Sequence, residues 1–572
     1  MTISRIGLVS LFAIAAASCA APSQPTRLSE APASAAPYDV LIDDGTIYDG
    51  SGGAPYVGDV GIVGDRIICV GQCAEAARQT IDARGLAVAP GFINMLSWAN
   101  EALIADGRGQ SDIRQGVTLE VMGEGQSMGP LNAEMKADEL KHQGDIKFDI
   151  GWTTLGGYLE WLERKGVSPN IASFVGATTV RIHELGENDV DPTPTQLDRM
   201  RALVRQAMNE GAMGVGSSLI YAPASFAETP ELTALAAEAG KCGGIYISHI
   251  RDEGPKLIEA IDELVEISEK SGAPAEIYHF KQSGKDNWHK IDAAIARVEA
   301  ARARGLKISA DMYTYPASST GFDAAMPLWI QEGGIEAWTK RLKDPKLKAR
   351  AFAEMHRPEA SENTKLAVQE PDKVILVGFK TDALKPLTGR TLGDVARERG
   401  KPPEEVIADL IVADNSRIQV VYFGMSEANV AREVTLPWMS FGSDAGAAAP
   451  EGVFLKSSTH PRAYGNFARL LGKYVREEKR VPLAEAVRRL TALPADNLKI
   501  SDRGRLKPGH FADIAIFDPD KIADTATFAK PQQYAVGMRH VFVNGVAVLR
   551  DGEHTGATPG RFVRGAGWNR CP

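Results

Sequence analysis

An excess of basic charge is missing from this chain: 64 Lys and Arg face 73 Asp and Glu, for a net charge of −9. A general nucleic-acid binder needs a positive footprint to neutralise phosphates, so no nucleic-acid partner is expected. Cysteine is scarce, five in 572 residues. Beyond Cys19, Cys69 and Cys73 are close enough to pair across a turn, while Cys242 and Cys571 are isolated and far apart. A zinc ribbon needs a second close pair, so the four read as structural or free thiols. Histidine is scarce too, ten in all. Beyond the first twenty residues no apolar run reaches the ~20 residues of a membrane span. Hydrophobic residues at 44% and charged residues at 24% exclude wholesale disorder, collagen and coiled coil. The 56 glycines follow no fixed period and read as tight turns at element ends.

The N-terminus carries a targeting pattern. Arg5 precedes an uncharged apolar run, Ile6 to Ala17, and small residues surround Ser18-Cys19-Ala20. Residues 1–20 therefore read as a signal peptide. Ala16-Ala17-Ser18-Cys19 also resembles a bacterial lipoprotein box, which leaves two outcomes: cleavage near Ala20, or a lipidated Cys19 that tethers the protein to a membrane. Either way the protein is expected to be exported, and to be periplasmic or lipid-anchored to the cell envelope. Residues 21–37, rich in Ala, Pro and Ser, read as a linker.

From Tyr38 the texture changes. Short alternating segments separated by Gly and Asp turns run through 38–89 and return in 496–560, where Asn544-Gly545 is a strong hairpin signal. Both terminal segments are expected to build one β-sandwich. Between them, residues 90–495 alternate short apolar strands with amphipathic helices, the rhythm of a parallel sheet. One α/β barrel with insertions takes about 250 to more than 400 residues. The fold class is therefore α/β, a (β/α)8 TIM-like barrel, and the irregular stretch around 320–435 reads as an insertion on its catalytic face.

In such a barrel catalytic groups gather at the C-terminal ends of the strands. Those ends supply Glu124, His249, His279 with Lys281 just beyond, Asp311 followed by Tyr313 and Tyr315, and Asp444. Two imidazoles and several carboxylates from different strands make the inventory of a zinc hydrolase. Each has a plainer reading. A strand-end histidine can be structural, Asp444 can cap a helix, and Lys281 can be solvated. Glu124 lies between two glycines, which implies that something approaches its backbone closely.

These residues sit in motifs that resemble the amidohydrolase superfamily and, within it, the D-aminoacylase (N-acyl-D-amino-acid deacylase) family. The motifs are Ala87-Val-Ala-Pro-Gly-Phe-Ile-Asn94, Ile247-Ser-His249, Tyr278-His279-Phe-Lys281, Asp311-Met-Tyr313-Thr-Tyr315, Gly442-Ser-Asp444, His460-Pro-Arg462-Ala-Tyr-Gly465 and Gly504-Arg-Leu-Lys-Pro-Gly509-His-Phe-Ala-Asp513. The chain departs from the family in one place. The two histidines that usually follow the first barrel strand are replaced by Leu96 and Trp98, neither of which can bind zinc. Glu124 matches the family's metal-bridging cysteine. The resemblance implies one zinc per chain, held by Glu124, His249 and His279, with Asp444 as catalytic proton carrier. It also implies a substrate carboxylate held by Lys281 and by Tyr313 or Tyr315, with Arg462 a weaker candidate. The implied substrate is a small-molecule amide, an N-acyl-(D-)amino acid or small peptide, and no protein partner is implied.

Two other readings stand beside this one. Gly125-Gln-Ser127-Met-Gly129 matches the Gly-x-Ser-x-Gly elbow of serine hydrolases, with Asp444 and His460 in the expected order. Loss of two metal histidines could alternatively mark a non-catalytic binding protein built on the same fold.

Overall fold

The computed structural model describes residues 28–30, 37–74 and 76–571. The leader, Cys19 and most of the linker lie outside the described residues. Eight parallel strands form the central barrel: β1 (Phe92–Asn94), β2 (Val117–Met122), β3 (Asn170–Ser173, resuming at Val175–Gly176), β4 (Gly214–Ser218), β5 (Ile245–His249), β6 (Ala275–Ile277), β7 (Ile308–Met312) and β8 (Met439–Phe441). Each pairs in parallel with the next. The ring closes between β8 and β1. There Met95 N–H donates to the Phe441 carbonyl (3.1 Å), Asp444 N–H donates to the Leu96 carbonyl (2.9 Å), and Ser97 bridges Ala445. The strands are buried on both faces, with every residue of Val117–Met122 inside, which explains their nearly continuous apolar runs.

The helices between strands form for local reasons. Pro194–Glu210 starts on a capping box in which Thr193 and Gln196 satisfy one another's backbone N–H groups, with proline in the first turn. Leu257–Ser271 buries Leu257, Ala260, Ile261, Leu264, Val265 and Ile267, a stripe of helical period laid against the barrel.

The insertion falls between β7 and β8. Strands Ser318–Gly321, Val374–Gly378 and Gln419–Tyr422 form a three-stranded antiparallel sheet with Gln419–Tyr422 in the middle. Helices cover this sheet around an apolar core of its own that includes Trp338, Leu376, Leu410 and Tyr422.

Both terminal segments build a single ten-stranded sheet. The N- and C-terminal halves meet where Ala87–Pro90 pairs antiparallel with Ile514–Phe517. Ile42, Ile62, Ile81, Val88, Ile516 and Phe542 are buried together beneath it. The hairpin at Asn544-Gly545 turns with both residues at positive φ, 48° and 78°, as a two-residue turn of this sequence requires. Within the stretch read as linker, Leu28–Glu30 adds a strand against Ala77–Asp82.

The chain does not end at the sheet. After Thr555 it runs back along the barrel, where Val563 N–H donates to the Ile171 carbonyl and Gly565 N–H to that of Gly211. This return places Cys571 beside Cys242, which ends the helix Thr229–Lys241, and the two are disulfide-bonded across 329 residues. Cys69 and Cys73 are bonded as well. The pairing open to Cys69 and Cys73 is realised, and the reading of Cys242 and Cys571 as structural or free thiols is corrected. Distance along the chain separated Cys242 from Cys571, and the returning tail removes it. Among the described residues no helix is long and apolar enough to cross a membrane. Substituting Cys571→Ser should raise amide exchange at Val563 and Gly565 by more than about tenfold, the low end of what a disulfide contributes. Unchanged exchange, measured by mass spectrometry, would show that the tail is held without the bond.

Candidate metal centre at the barrel mouth

Glu124 sits just past the end of β2, and its two glycine neighbours take positive φ, 103° at Gly123 and 69° at Gly125. A Cβ at Gly123 would lie 2.3 Å from the Phe174 carbonyl oxygen, and one at Gly125 would lie 1.9 Å from Ser218 Oγ. The close approach implied by the sequence is thus to β3 and β4, and it aims the Glu124 side chain across the barrel mouth. His249 closes β5. His279 follows β6 at φ 36° and is fixed there because its N–H donates to Asp311 Oδ1 at 2.9 Å.

The three side chains converge. Glu124 Oε1 lies 3.0 Å from His249 Nδ1 and 3.0 Å from His279 Nε2. The rings stand edge to face, 4.3 Å between centroids, and all three residues are buried. Burial alone would raise the Glu124 carboxyl, but the two imidazoles overcome it and hold the group below the usual carboxylate range. Burial lowers His249. At His279 burial and the Lys281 cation push down, yet the carboxylates of Glu253 and Glu124 more than offset them and push it up to about 10.

Two imidazole nitrogens and one carboxylate oxygen, all within 4.8 Å of one another, suit a borderline divalent cation such as zinc. Three protein ligands leave a fourth position for water or substrate, the arrangement of a catalytic site. The far sides of the rings fit the same role. Glu253 Oε1 lies 3.1 Å from His279 Nδ1 and 3.5 Å from His249 Nε2. Lys281 Nζ is 2.5 Å from that same carboxylate oxygen and 2.7 Å from His279 Nδ1. With Nε2 of His279 turned to a metal, its ring proton resides on Nδ1, and Glu253 is there to accept it. A carboxylate behind a histidine fixes tautomer and ring orientation. Glu253 was not among the residues singled out from the sequence. Its one signal is its place four residues after His249, in the same strand-end loop.

Asp444, at φ 50°, projects from the loop after β8 toward this centre. Its Oδ1 accepts from Trp98 Nε1 at 3.2 Å, and the same N–H reaches Glu124 Oε2 at 2.9 Å. Its Oδ2 lies 2.9 Å from Arg462 Nη1, an ion pair not aligned as a hydrogen bond. Burial raises the Asp444 carboxyl, and Arg462 offsets part of the rise. Tyr313 lies under Arg462, whose guanidinium carbon is 4.5 Å from the ring centroid, and its hydroxyl meets Met425 Sδ at 3.3 Å. Tyr315 is committed elsewhere, with its hydroxyl donating to Asp524 at 2.8 Å. Lys281, Tyr313 and Arg462 therefore gather at the centre, and Tyr315 does not. Ser127 Oγ donates to the Gly129 carbonyl (2.6 Å) and accepts from Gly176 N–H (2.9 Å). It shapes the loop after Glu124 and is hydrogen-bonded to no histidine among the described residues, and the His460 ring is bonded to Ala317 and Arg462.

Two outcomes follow for metal binding. Metal-free His279 keeps its proton up to about pH 10, so an entering cation must displace that proton and affinity should rise with pH through neutrality. Calorimetry in two buffers of different ionisation enthalpy should report about one proton released per metal near pH 7, and none released would rule out His279 as a ligand. Glu253→Gln should weaken the metal by about 10–100-fold, and an unchanged dissociation constant would leave Glu253 without an orienting role.

A family model described as "Amidohydrolase family" matches residues 79–549. D-aminoacylase of Alcaligenes xylosoxydans xylosoxydans is 32% identical over 536 residues, 92% of this chain and 98% of that protein. A crystal structure of D-aminoacylase superposes with a TM-score of 0.76 at 31% identity, covering 92% of this chain and 99% of the other. An N-acyl-D-glutamate deacylase from Bordetella bronchiseptica, solved with zinc and a phosphonate inhibitor, gives 0.74 at 28% identity, with 92% and 99% covered. The chain belongs to the amidohydrolase family, in the branch of the D-aminoacylases.

Proposed function

We propose that this protein hydrolyses the amide bond of N-acyl-D-amino acids with one zinc ion held by Glu124, His249 and His279. The observation that carries the reading is the convergence of three ligand atoms on one buried point, with the Asp444 carboxylate bonded to the same indole N–H as Glu124. The relatives named above support the substrate class. Bound zinc supplies acidity to a water molecule and polarises the amide carbonyl. The remaining work belongs to side chains. Asp444 takes a proton from the attacking water and delivers it to the departing amine nitrogen, and burial strengthens it as a base. Lys281, Tyr313 and Arg462 cradle the substrate carboxylate, so that the scissile bond faces Asp444. Arg462 is itself buried, and a substrate carboxylate entering beside it would share its charge with Asp444.

The test is an assay of the purified protein on matched N-acyl-D- and N-acyl-L-amino acids, with zinc measured in the same sample. Asp444→Asn should lower turnover by about 10²–10⁴-fold with zinc content unchanged. Retained turnover would remove Asp444 from proton transfer, and hydrolysis that survives complete chelation would remove the metal from the mechanism.

We further propose that the protein works outside the cytoplasm. The N-terminal pattern and two disulfides support an oxidising compartment, and Cys19 is the candidate lipid anchor. Cys19→Ala should move the protein from the membrane to the soluble fraction of an expressing bacterium. Equal fractionation of the two forms would argue for simple cleavage.

A further inference from the structure

Trp98 was set aside in the sequence as a residue that cannot bind zinc, but the structure gives it two partners. Its single indole N–H is 2.9 Å from Glu124 Oε2 and 3.2 Å from Asp444 Oδ1. One donor thus joins the end of β2 to the loop after β8, and joins a metal-ligand candidate to the proton carrier. The backbone holds it in place, because Trp98 N–H donates to the Ala445 carbonyl at 3.0 Å. Two residues before it in the chain, Leu96 is buried among Ile93, Leu119, Val121 and Tyr278. Positions 96 and 98 therefore offer a hydrocarbon and one N–H donor, and no lone pair.

We propose that Trp98 is a positioning residue that links the two carboxylates through its indole N–H, an inference that rests on the one-zinc reading above. The chemistry follows from the donor inventory. Indole nitrogen donates only. Two carboxylates turned toward one point repel unless something positive lies between them, and the hydrogen on Nε1 fills that role without carrying a full charge. Unlike a metal ion, it cannot be lost to a chelator. The bond also divides the labour of Glu124, with Oε2 held by Trp98 and Oε1 left facing the imidazoles. The carboxylate is thereby kept from rotating. Trp98 remains 38% exposed, so the position is suited to replacement.

The experiment replaces the N–H while keeping the ring. Trp98→Phe and, as a closer isostere, benzothienylalanine at position 98 should each lower kcat by about tenfold or more with KM changed less than about threefold. Zinc affinity by calorimetric titration should fall by about tenfold, the lower range for losing a partner of a metal ligand, with stoichiometry still one. Wild-type kcat and zinc affinity in both N–H-free proteins would overturn the linking role. A wild-type protein that binds no zinc would overturn the one-zinc reading itself, and this inference with it.

Discussion

A carboxylate buried at the mouth of a barrel is stable only if its charge is met on every side, and Glu124 is the group on which this molecule imposes that demand. Moving an unpaired carboxylate out of water is costly enough that it would normally take up a proton. Here two imidazoles face one oxygen and an indole N–H faces the other. These partners come from β5, β6 and the end of β1. The match therefore exists only when the barrel is closed, and it needs glycine on both sides of Glu124 so that the chain can press against β3 and β4. Site and fold share one condition, because what closes the ring also supplies the counter-charges.

The seam between β1 and β8 shows how that condition extends downward. Asn94 donates from Nδ2 to Glu120 Oε2 and to Ser443 Oγ, both at 2.9 Å, and accepts the Ser443 N–H at 2.8 Å. Asp444 is thus placed by the residue before it. Below lies a second buried carboxyl, Asp112; burial raises both Asp112 and Glu120, the Glu120 charge raises Asp112 further, and hydrogen bonds from Ser97, Asn94 and Asp112 pull Glu120 part of the way back. Glu124 and Asp444 above it are instead joined by a single donor, the Trp98 indole N–H.

Much of this was legible in the sequence because strand ends are readable. Apolar runs located β2, β4, β5, β6 and β7, and the residues that close them or follow within a step are Glu124, His249, His279 and Asp311. The terminal sheet announced itself by turn chemistry, with Asn544-Gly545 the clearest case. What stayed hidden depends on direction or on distance. Tyr313 and Tyr315 share parity as if both faced one side, but β7 ends at Met312, alternation lapses there, and Tyr315 turns to Asp524. The Cys242–Cys571 bond spans 329 residues and follows from a tail whose path no periodicity encodes. Glu253 and Trp98 act through a second acceptor and a single donor hydrogen, and spacing rules written for metal ligands register neither.

The insertion also reaches the centre. The Tyr221 ring meets the edge of His249 at 5.2 Å. Its hydroxyl accepts from Thr320 Oγ1 at 2.8 Å, Thr320 in turn accepts from Arg417 at 2.9 Å, and Arg417 is paired with Asp323 at 3.0 Å. Thr320, Asp323 and Arg417 all belong to the insertion, which has its own apolar core and so can behave as a unit. The Thr320–Tyr221 hydrogen bond joins that unit to the ring packed on His249, and the two Arg417 contacts hold Thr320 and Asp323 together within the unit. The His249 imidazole, with Glu253 behind it and the Tyr221 ring at its side, is constrained in two directions.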